Sequence, residues 1–213
     1  MLERILPPGV HCVSTRADPP AATLFPAEAA LLVKAVEKRK REFTTTRHCA
    51  RLALAELGVP ATPILPGVRG APVWPDGIVG SMTHCVGYRA AAVGRTSQVA
   101  GIGIDAEVHG PLPEGVLNLV SSAGEREHLA ELAAAHPSVQ WQRLLFSAKE
   151  SVYKVWSPRT GEWLGFEEAE LSFDPATQTF TARVLVPGPF TTLTGRYAVA
   201  DDLVATAVVV PAG

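Results

Sequence analysis

Apolar positions recur along this chain at two periods, helical and strand-like, and stretches with neither separate them. Residues 1–26 are Pro-rich and carry no regular pattern. A helix is predicted to open at Pro26-Ala27-Glu28, because proline suits the first helical position and an acid belongs in the first turn. Ala29, Leu32, Val33 and Val36 then repeat at helical spacing. Thr44-Thr45-Thr46 predicts a weak point, since β-branched residues are poor helix formers. A second helix follows, with Ala50, Ala53, Leu54 and Leu57 on one face and Gly58 suited to end it. Residues 58–81 hold five prolines and five glycines without periodicity. They predict a long loop, a kind of segment that is usually functional or disordered.

Tyr88–Val93 and Val99–Glu107 read as strands separated by a turn near Gly94, and residues 108–121 as another loop. Ser122-Ala-Gly-Glu125 matches a capping box and opens a helix to about His136, which Pro137 ends. Ser138 is placed to cap the next helix, which runs to about Trp156 with an apolar stripe of Trp141, Leu144, Leu145, Ala148, Val152 and Val155. Beyond Gly161 the period turns to strands at 170–173, 179–186, 196–200 and 204–210. Each half therefore reads as helices with antiparallel strands, an α+β class, without a repeat at the level of sequence.

Composition narrows the picture. A chain of 213 residues with 47% apolar and 19% charged residues is not intrinsically disordered. No stretch approaches the ~18 consecutive apolar residues of a membrane span, and Met1–Ile5 lacks the pattern of a signal peptide. Three widely spaced cysteines, Cys12, Cys49 and Cys85, argue against a disulfide framework. A soluble, cytoplasmic protein is expected. The net charge of −2 hides an asymmetry: residues 34–51 carry seven of the 19 basic residues against two acids. A basic patch on an otherwise acidic chain points to one anionic ligand more than to general nucleic-acid binding.

Four constellations can carry chemistry. In Gly101-Ile-Gly-Ile-Asp105-Ala-Glu107 the strand period puts Asp105 and Glu107 on one face, about 6.5 Å apart along the strand. The pair is either a solvated strand face or the start of an all-oxygen site of the kind Mg²⁺ takes. The same glycines do not make a dinucleotide fingerprint, because no helix follows: Gly110-Pro111 and Pro113 do. In the helix, Glu150 and Lys154 stand at i, i+4 on a polar stripe with Arg143 and Ser147. They are a surface ion pair, or a carboxylate for metal or base duty beside a cation for phosphate. Ser151-x-x-Lys154 lacks the companion motifs of penicillin-binding enzymes. Gly80-Ser81-Met-Thr83-His84-Cys85 offers several hydrogen-bond donors to phosphate, or is a polar turn. His-Cys pairs at 48–49 and 84–85 lack zinc-site spacing. Arg39, Arg41 and Arg47, with Lys38 and Lys40, either grip a phosphate through their planar donor forks or line a solvated helix face.

Taken in order, Arg39-Lys-Arg-Glu-Phe-Thr-Thr-Thr-Arg47-His-Cys-Ala-Arg51, Gly67-x-x-Gly70-x-Pro72-x-Trp74-Pro75, Gly80-Ser-x-Thr-His84, Gly103-Ile-Asp105-Ala-Glu107 and Lys149-Glu150-Ser-x-Tyr-Lys154 resemble the 4′-phosphopantetheinyl transferases of the broad-specificity Sfp/EntD-like group. The resemblance runs from about 37 to 166. It implies a two-lobed, pseudosymmetric α+β monomer, with lobes 1–103 and 104–213 and the active site between them. It implies transfer of the phosphopantetheine arm of coenzyme A to a serine of an apo acyl or peptidyl carrier protein of polyketide, fatty-acid or nonribosomal peptide synthases, releasing 3′,5′-ADP. By motif position Asp105, Glu107 and Glu150 would hold Mg²⁺ or Mn²⁺. Glu150, Lys154 and His84 would be catalytic, Glu150 taking the proton of the carrier serine directly or through water. Arg39, Arg47, Pro66, Gly67, Val68, Arg69, Ser81, Thr83, His84, Asp105, Lys149 and Lys154 would contact coenzyme A. Phe146 stands where many members have Trp, and Ala106 between the two acids leaves only the three carboxylates as side-chain ligands. The apolar residues of loop 108–121, Leu112, Val116, Leu117, Leu119 and Val120, would either dock a carrier helix or pack on their own lobe. An inactive coenzyme A- or carrier-binding protein and a nucleic-acid-binding module are the alternatives to an active transferase.

Overall fold

Two antiparallel sheets carry the fold, described over residues 1–200 and 202–213 of a computed structural model. β1 (Val10–Thr15), β2 (Ile78–Cys85) and β3 (Tyr88–Arg95) form the first, in the order β1-β3-β2. β4 (Val99–Val108), β5 (Ala169–Asp174), β6 (Thr179–Val184), β7 (Thr192–Val199) and β8 (Leu203–Pro211) form the second, in the order β4-β8-β7-β6-β5. The helices are α1 (Pro26–Ala30), α2 (Glu37–Glu56), α3 (Val116–Val120), α4 (Ala123–Ala135) and α5 (Trp141–Thr160). The α+β class and the two antiparallel sheets agree with the sequence pattern. Among the described residues no helix is long and apolar enough to cross a membrane.

The α2 helix corrects the expected break at the threonines. Its 20 residues run through Thr44-Thr45-Thr46 without interruption. The Thr46 hydroxyl donates back to the Glu42 carbonyl at 2.6 Å, and the Thr45 hydroxyl donates to Asp18 at 2.8 Å. Cys49, Ala50, Ala53 and Leu54 bury against Ile78, Ala91 and Val93 of the first sheet. That packed face outweighs a propensity deficit of a few tenths of a kcal/mol per residue.

Two strands lie where the sequence pattern predicts loop. β1 sits within residues 1–26, and β2 covers the Gly80–Cys85 segment. β2 is an edge strand of the first sheet, held by pairing with β3 from Ile78↔Arg95 to Cys85↔Tyr88. The expected lobe boundary at 103/104 falls inside β4, which belongs wholly to the second sheet. The sheets part earlier, in the turn at 96–98. The predicted loop 108–121 contains α3, in which Val120 is buried and Leu119 is exposed, while Leu117 packs on the C-terminal core. α5 is capped by Gln140 rather than by Ser138 and runs from Trp141 past Pro158 to Thr160.

The capping box at Ser122 forms as expected. Its hydroxyl accepts from the Glu125 amide at 3.2 Å, and Glu125 accepts from the Ser122 amide at 2.8 Å. One face of the first sheet lies under α2, while Ala90 and Ala92 on the other pack with Ile102, Ile104 and Ala106 of β4, Leu203, Ala205 and Ala207 of β8, and Leu2 and Ile5. α4 and α5 cover the far face of the second sheet, with Leu144, Leu145 and Val152 on Phe173, Phe180, Val204 and Val208. The two lobes thus share a buried cluster.

Candidate active site

The alternation of β4 decides where its acids point. Ile102, Ile104 and Ala106 are buried in the cluster between the lobes, so Asp105 and Glu107 face the opposite way, toward α5. Gly103 lets α5 come close: a Cβ there would stand 1.9 Å from the Ser151 carbonyl oxygen. This contact gives the glycine a packing role and brings the polar stripe of α5 over the acids. Lys154 Nζ donates to Asp105 Oδ1 at 2.7 Å and to the Ile104 carbonyl at 3.1 Å. Arg143 Nη1 lies 3.3 Å from Glu107 Oε2, and its other nitrogens hold the carbonyls of Gly110 and Pro111.

Burial and like charge raise Glu107 and Glu150. Desolvation, then the charge of Asp105, pushes Glu107 up to about 7. Desolvation also raises Glu150, with the Lys154 ammonium opposing and Asp105 reinforcing the shift. Asp105 is 5% exposed, and its Oδ2 is buried without a hydrogen-bond partner. Among the described residues no three His, Cys, Asp or Glu side chains are already grouped to hold one ion. Lys154 and Arg143 engage Asp105 and Glu107 instead. The donor set nevertheless fits a divalent cation, with hard oxygen ligands, an orphaned buried carboxylate oxygen, and acids whose mutual repulsion a positive charge relieves.

A cleft of about 260 Å³ opens beside this cluster, between the lobes. Arg39, Phe43, Thr46 and Arg47 of α2 form one wall; Glu150, Tyr153, Lys154, Ser157 and Pro158 of α5 form another. Gly80, Ser81, Met82 and His84 of β2 lie between them. Arg39 Nη1 donates to His84 Nε2 at 3.0 Å, which places the ring proton on Nδ1, 3.6 Å from Glu42. Desolvation lowers the His84 pKa below its ordinary value, with the Glu42 charge opposing. The Arg47 guanidinium lies over the Phe43 ring, 3.2 Å from its centroid, and Nε donates to the Ile64 carbonyl at 2.9 Å. Burial brings Arg47 down to about 10, with buried Glu28 opposing the shift. The segment 65–73 forms a tight hairpin, with Gly67 N donating to the Ala71 carbonyl at 2.7 Å. Arg69 at its tip has φ +52° and donates from Nε to the Gly161 carbonyl at 2.9 Å, across the cleft.

Of the residues singled out in the sequence, Arg39, Arg47, Arg69, Ser81, His84, Glu150 and Lys154 line this one cleft, and Asp105 touches it through Lys154. Pro66, Gly67 and Val68 form the neck and shoulder of the hairpin without lining the cleft. Lys149 lies outside the cleft lining: its ammonium donates to Glu125 at 2.9 Å and to the Phe166 carbonyl at 2.7 Å, in a buried ion pair. Thr83 is also turned away, bonded to β4. Phe43 escaped the sequence reading, although its position four residues before Arg47 was the available signal.

Comparison with known proteins matches the two lobes to two family descriptions. Residues 27–94 match the 4′-phosphopantetheinyl transferase N-terminal domain, and residues 101–207 match the 4′-phosphopantetheinyl transferase superfamily. The chain belongs to the 4′-phosphopantetheinyl transferases. The transferase is 57% identical over 211 residues to 4′-phosphopantetheinyl transferase Svp of Streptomyces mobaraensis, covering 95% of this chain and 86% of that protein. It is 50% identical over 202 residues to PptT of Mycobacterium tuberculosis, covering 90% of this chain and 88% of the relative. Npt of Nocardia iowensis is 49% identical over 222 residues, covering 98% of this chain and 99% of the relative. The two matched stretches, 27–94 and 101–207, together include every residue that lines the cleft.

Proposed function

We propose that this transferase moves the 4′-phosphopantetheine arm of coenzyme A to a serine hydroxyl of an apo carrier protein, in a Mg²⁺-dependent step that releases 3′,5′-ADP. The observation that carries the reading is one interlobe cleft lined by Glu150 together with Arg39, Arg47, His84 and Lys154, with Asp105 bonded behind Lys154. Coenzyme A has the matching charge pattern, a diphosphate and a 3′-phosphate. Its ligands on the cationic wall would be Arg39 and Arg47 for the phosphoadenosine end and His84 with Lys154 for the diphosphate. Arg69, at the tip of the hairpin, would lie over the nucleotide.

Asp105, Glu107 and Glu150 would hold the metal ion, whose charge neutralises the diphosphate as the reaction proceeds. Glu150 is the base. Burial raises its proton affinity, which suits it to accept the proton of the incoming serine hydroxyl. The serine oxygen forms a bond to the phosphorus that bears the pantetheine arm. The bond from that phosphorus to the bridging oxygen breaks, and 3′,5′-ADP leaves with the electron pair. Lys154, when it turns from Asp105 to the diphosphate, supplies cationic charge to the oxygens of the transition state. The carriers would be those of polyketide, fatty-acid or nonribosomal peptide synthases.

Intact-mass spectrometry tests the whole reading. An apo carrier protein incubated with the transferase, coenzyme A and Mg²⁺ is expected to gain the mass of one phosphopantetheine arm. EDTA, or the Asp105→Ala substitution, is expected to abolish the gain. No gain across acyl, aryl and peptidyl carriers, with coenzyme A binding demonstrated, would leave a binding protein in place of an enzyme.

A further inference from the structure

The hydroxyl of Thr83 sits between the lobes, 3% exposed, and both of its hydrogen-bonding roles are used. It accepts from the Ala106 amide of β4 at 3.1 Å and donates to Asp105 Oδ1 at 3.1 Å. A hydroxyl has a single proton, so accepting from the amide leaves that proton free to point at the carboxylate. Asp105 Oδ1 receives a second donor, Lys154, at 2.7 Å. Both donors therefore gather on one oxygen, and the other, Oδ2, is buried with no partner. The neighbouring hydroxyl Ser81 accepts from the Ile104 amide at 3.1 Å and has no such link to Asp105.

We propose that Thr83 is a positioning residue for the metal site. It fixes the Asp105 carboxylate so that Oδ2 is the oxygen offered to the cation, and it does not contact coenzyme A. This inference rests on the metal assignment made above. The β2 strand thus makes its contribution to chemistry from the opposite lobe, through a side chain that bridges to β4. Groups that orient a metal ligand from behind typically change metal affinity or activity by about 10–100-fold when removed. Ser81 makes the matching bond to β4 without the carboxylate contact, so Thr83 alone links β2 to Asp105 among these two hydroxyls.

The test reads binding, without turnover. Mn²⁺ is titrated into the protein with one equivalent of coenzyme A and no carrier protein, and free Mn²⁺ is followed by electron paramagnetic resonance. Coenzyme A affinity is measured separately in EDTA by calorimetry. The Asp105→Ala variant gives the baseline without the site. Thr83→Val is expected to weaken Mn²⁺ by about 10–100-fold and to leave coenzyme A affinity in EDTA unchanged. Thr83→Ser, which keeps the hydroxyl, is expected to bind Mn²⁺ like the wild type. Should Thr83→Val fail to fold, Thr83→Cys keeps the shape with a weaker donor and is expected to show an intermediate loss. Wild-type Mn²⁺ affinity in Thr83→Val, or a matching loss of coenzyme A affinity in EDTA, would overturn the inference while leaving the metal site standing. Wild-type binding no stronger than that of Asp105→Ala would overturn the metal assignment itself, and the inference with it.

Discussion

A single missing methyl group sets the distance between β4 and α5. At Gly103 the obstacle to a Cβ is the Ser151 carbonyl oxygen at 1.9 Å, a backbone atom that cannot swing aside. At Gly101 it is a Val155 methyl group at 3.1 Å, which can give. Overpacking a core costs typically about 1–3 kcal/mol, and a backbone obstacle belongs at the upper end. Gly103→Ala is therefore expected to destabilise by about 3 kcal/mol or more, and Gly101→Ala by under about 1 kcal/mol. Thermal unfolding of the two variants checks this, and equal losses would show that α5 is free to shift. The same scale explains what could be read from sequence. Strand alternation alone placed Asp105 and Glu107 together, because the period of two leaves no freedom. It could not show that Lys154 would rest on Asp105, nor which hydroxyl of Ser81 and Thr83 reaches a carboxylate, because the first contact joins residues 49 positions apart and the second crosses between lobes.

Neighbouring residues of a helix point about 100° apart, which separates the fates of Lys149 and Glu150. The motif writes them side by side, yet α5 turns Glu150 to the cleft and Lys149 into the interior. There Glu125 accepts from Lys149, from the Ser122 amide and from the Leu171 amide, so one carboxylate joins α4, α5 and β5. The capping box of α4 was legible from Ser122 and Glu125 alone. The further duty of Glu125 was not, because its partners are 24 and 46 residues away. Removing one partner of a buried pair leaves an uncompensated charge at a cost of about 3–5 kcal/mol. Lys149→Ala is expected to lose stability on that scale in urea unfolding, and to bind coenzyme A with unchanged affinity once folded. A tenfold loss of coenzyme A affinity at wild-type stability would restore Lys149 to the ligand contacts. Strands β1 and β2 were hidden for a related reason. Their residues alternate poorly, with all of β1 half-buried, and β2 is defined by pairing with β3 rather than by its own pattern.

At the level of the whole molecule, the lobes are separate in sheet topology but not in their cores. Ile104 and Ala106 of the second sheet bury against Ala90 and Ala92 of the first, and Leu2 and Ile5 from the chain start close the same cluster. The Ser81 and Thr83 hydroxyls satisfy two amides of β4 that no strand pairs on that side. Neither sheet can leave the other without exposing that apolar face and orphaning those amides. The two lobes are therefore expected to unfold in one transition, even though chains of this length with two lobes often do not. Three of the four tryptophans, Trp141, Trp156 and Trp163, lie in the second lobe, so fluorescence in urea follows that lobe while far-ultraviolet circular dichroism follows both. Coincident curves are expected. Ile104→Ala, at a fully buried position of the shared cluster, is expected to move both curves together by about 2–5 kcal/mol. A fluorescence transition separated from the dichroism transition would mean that the lobes hold their own stability. The interlobe cleft would then be assembled by ligand binding, and the alignment of Asp105 behind Lys154 would depend on coenzyme A instead of preceding it.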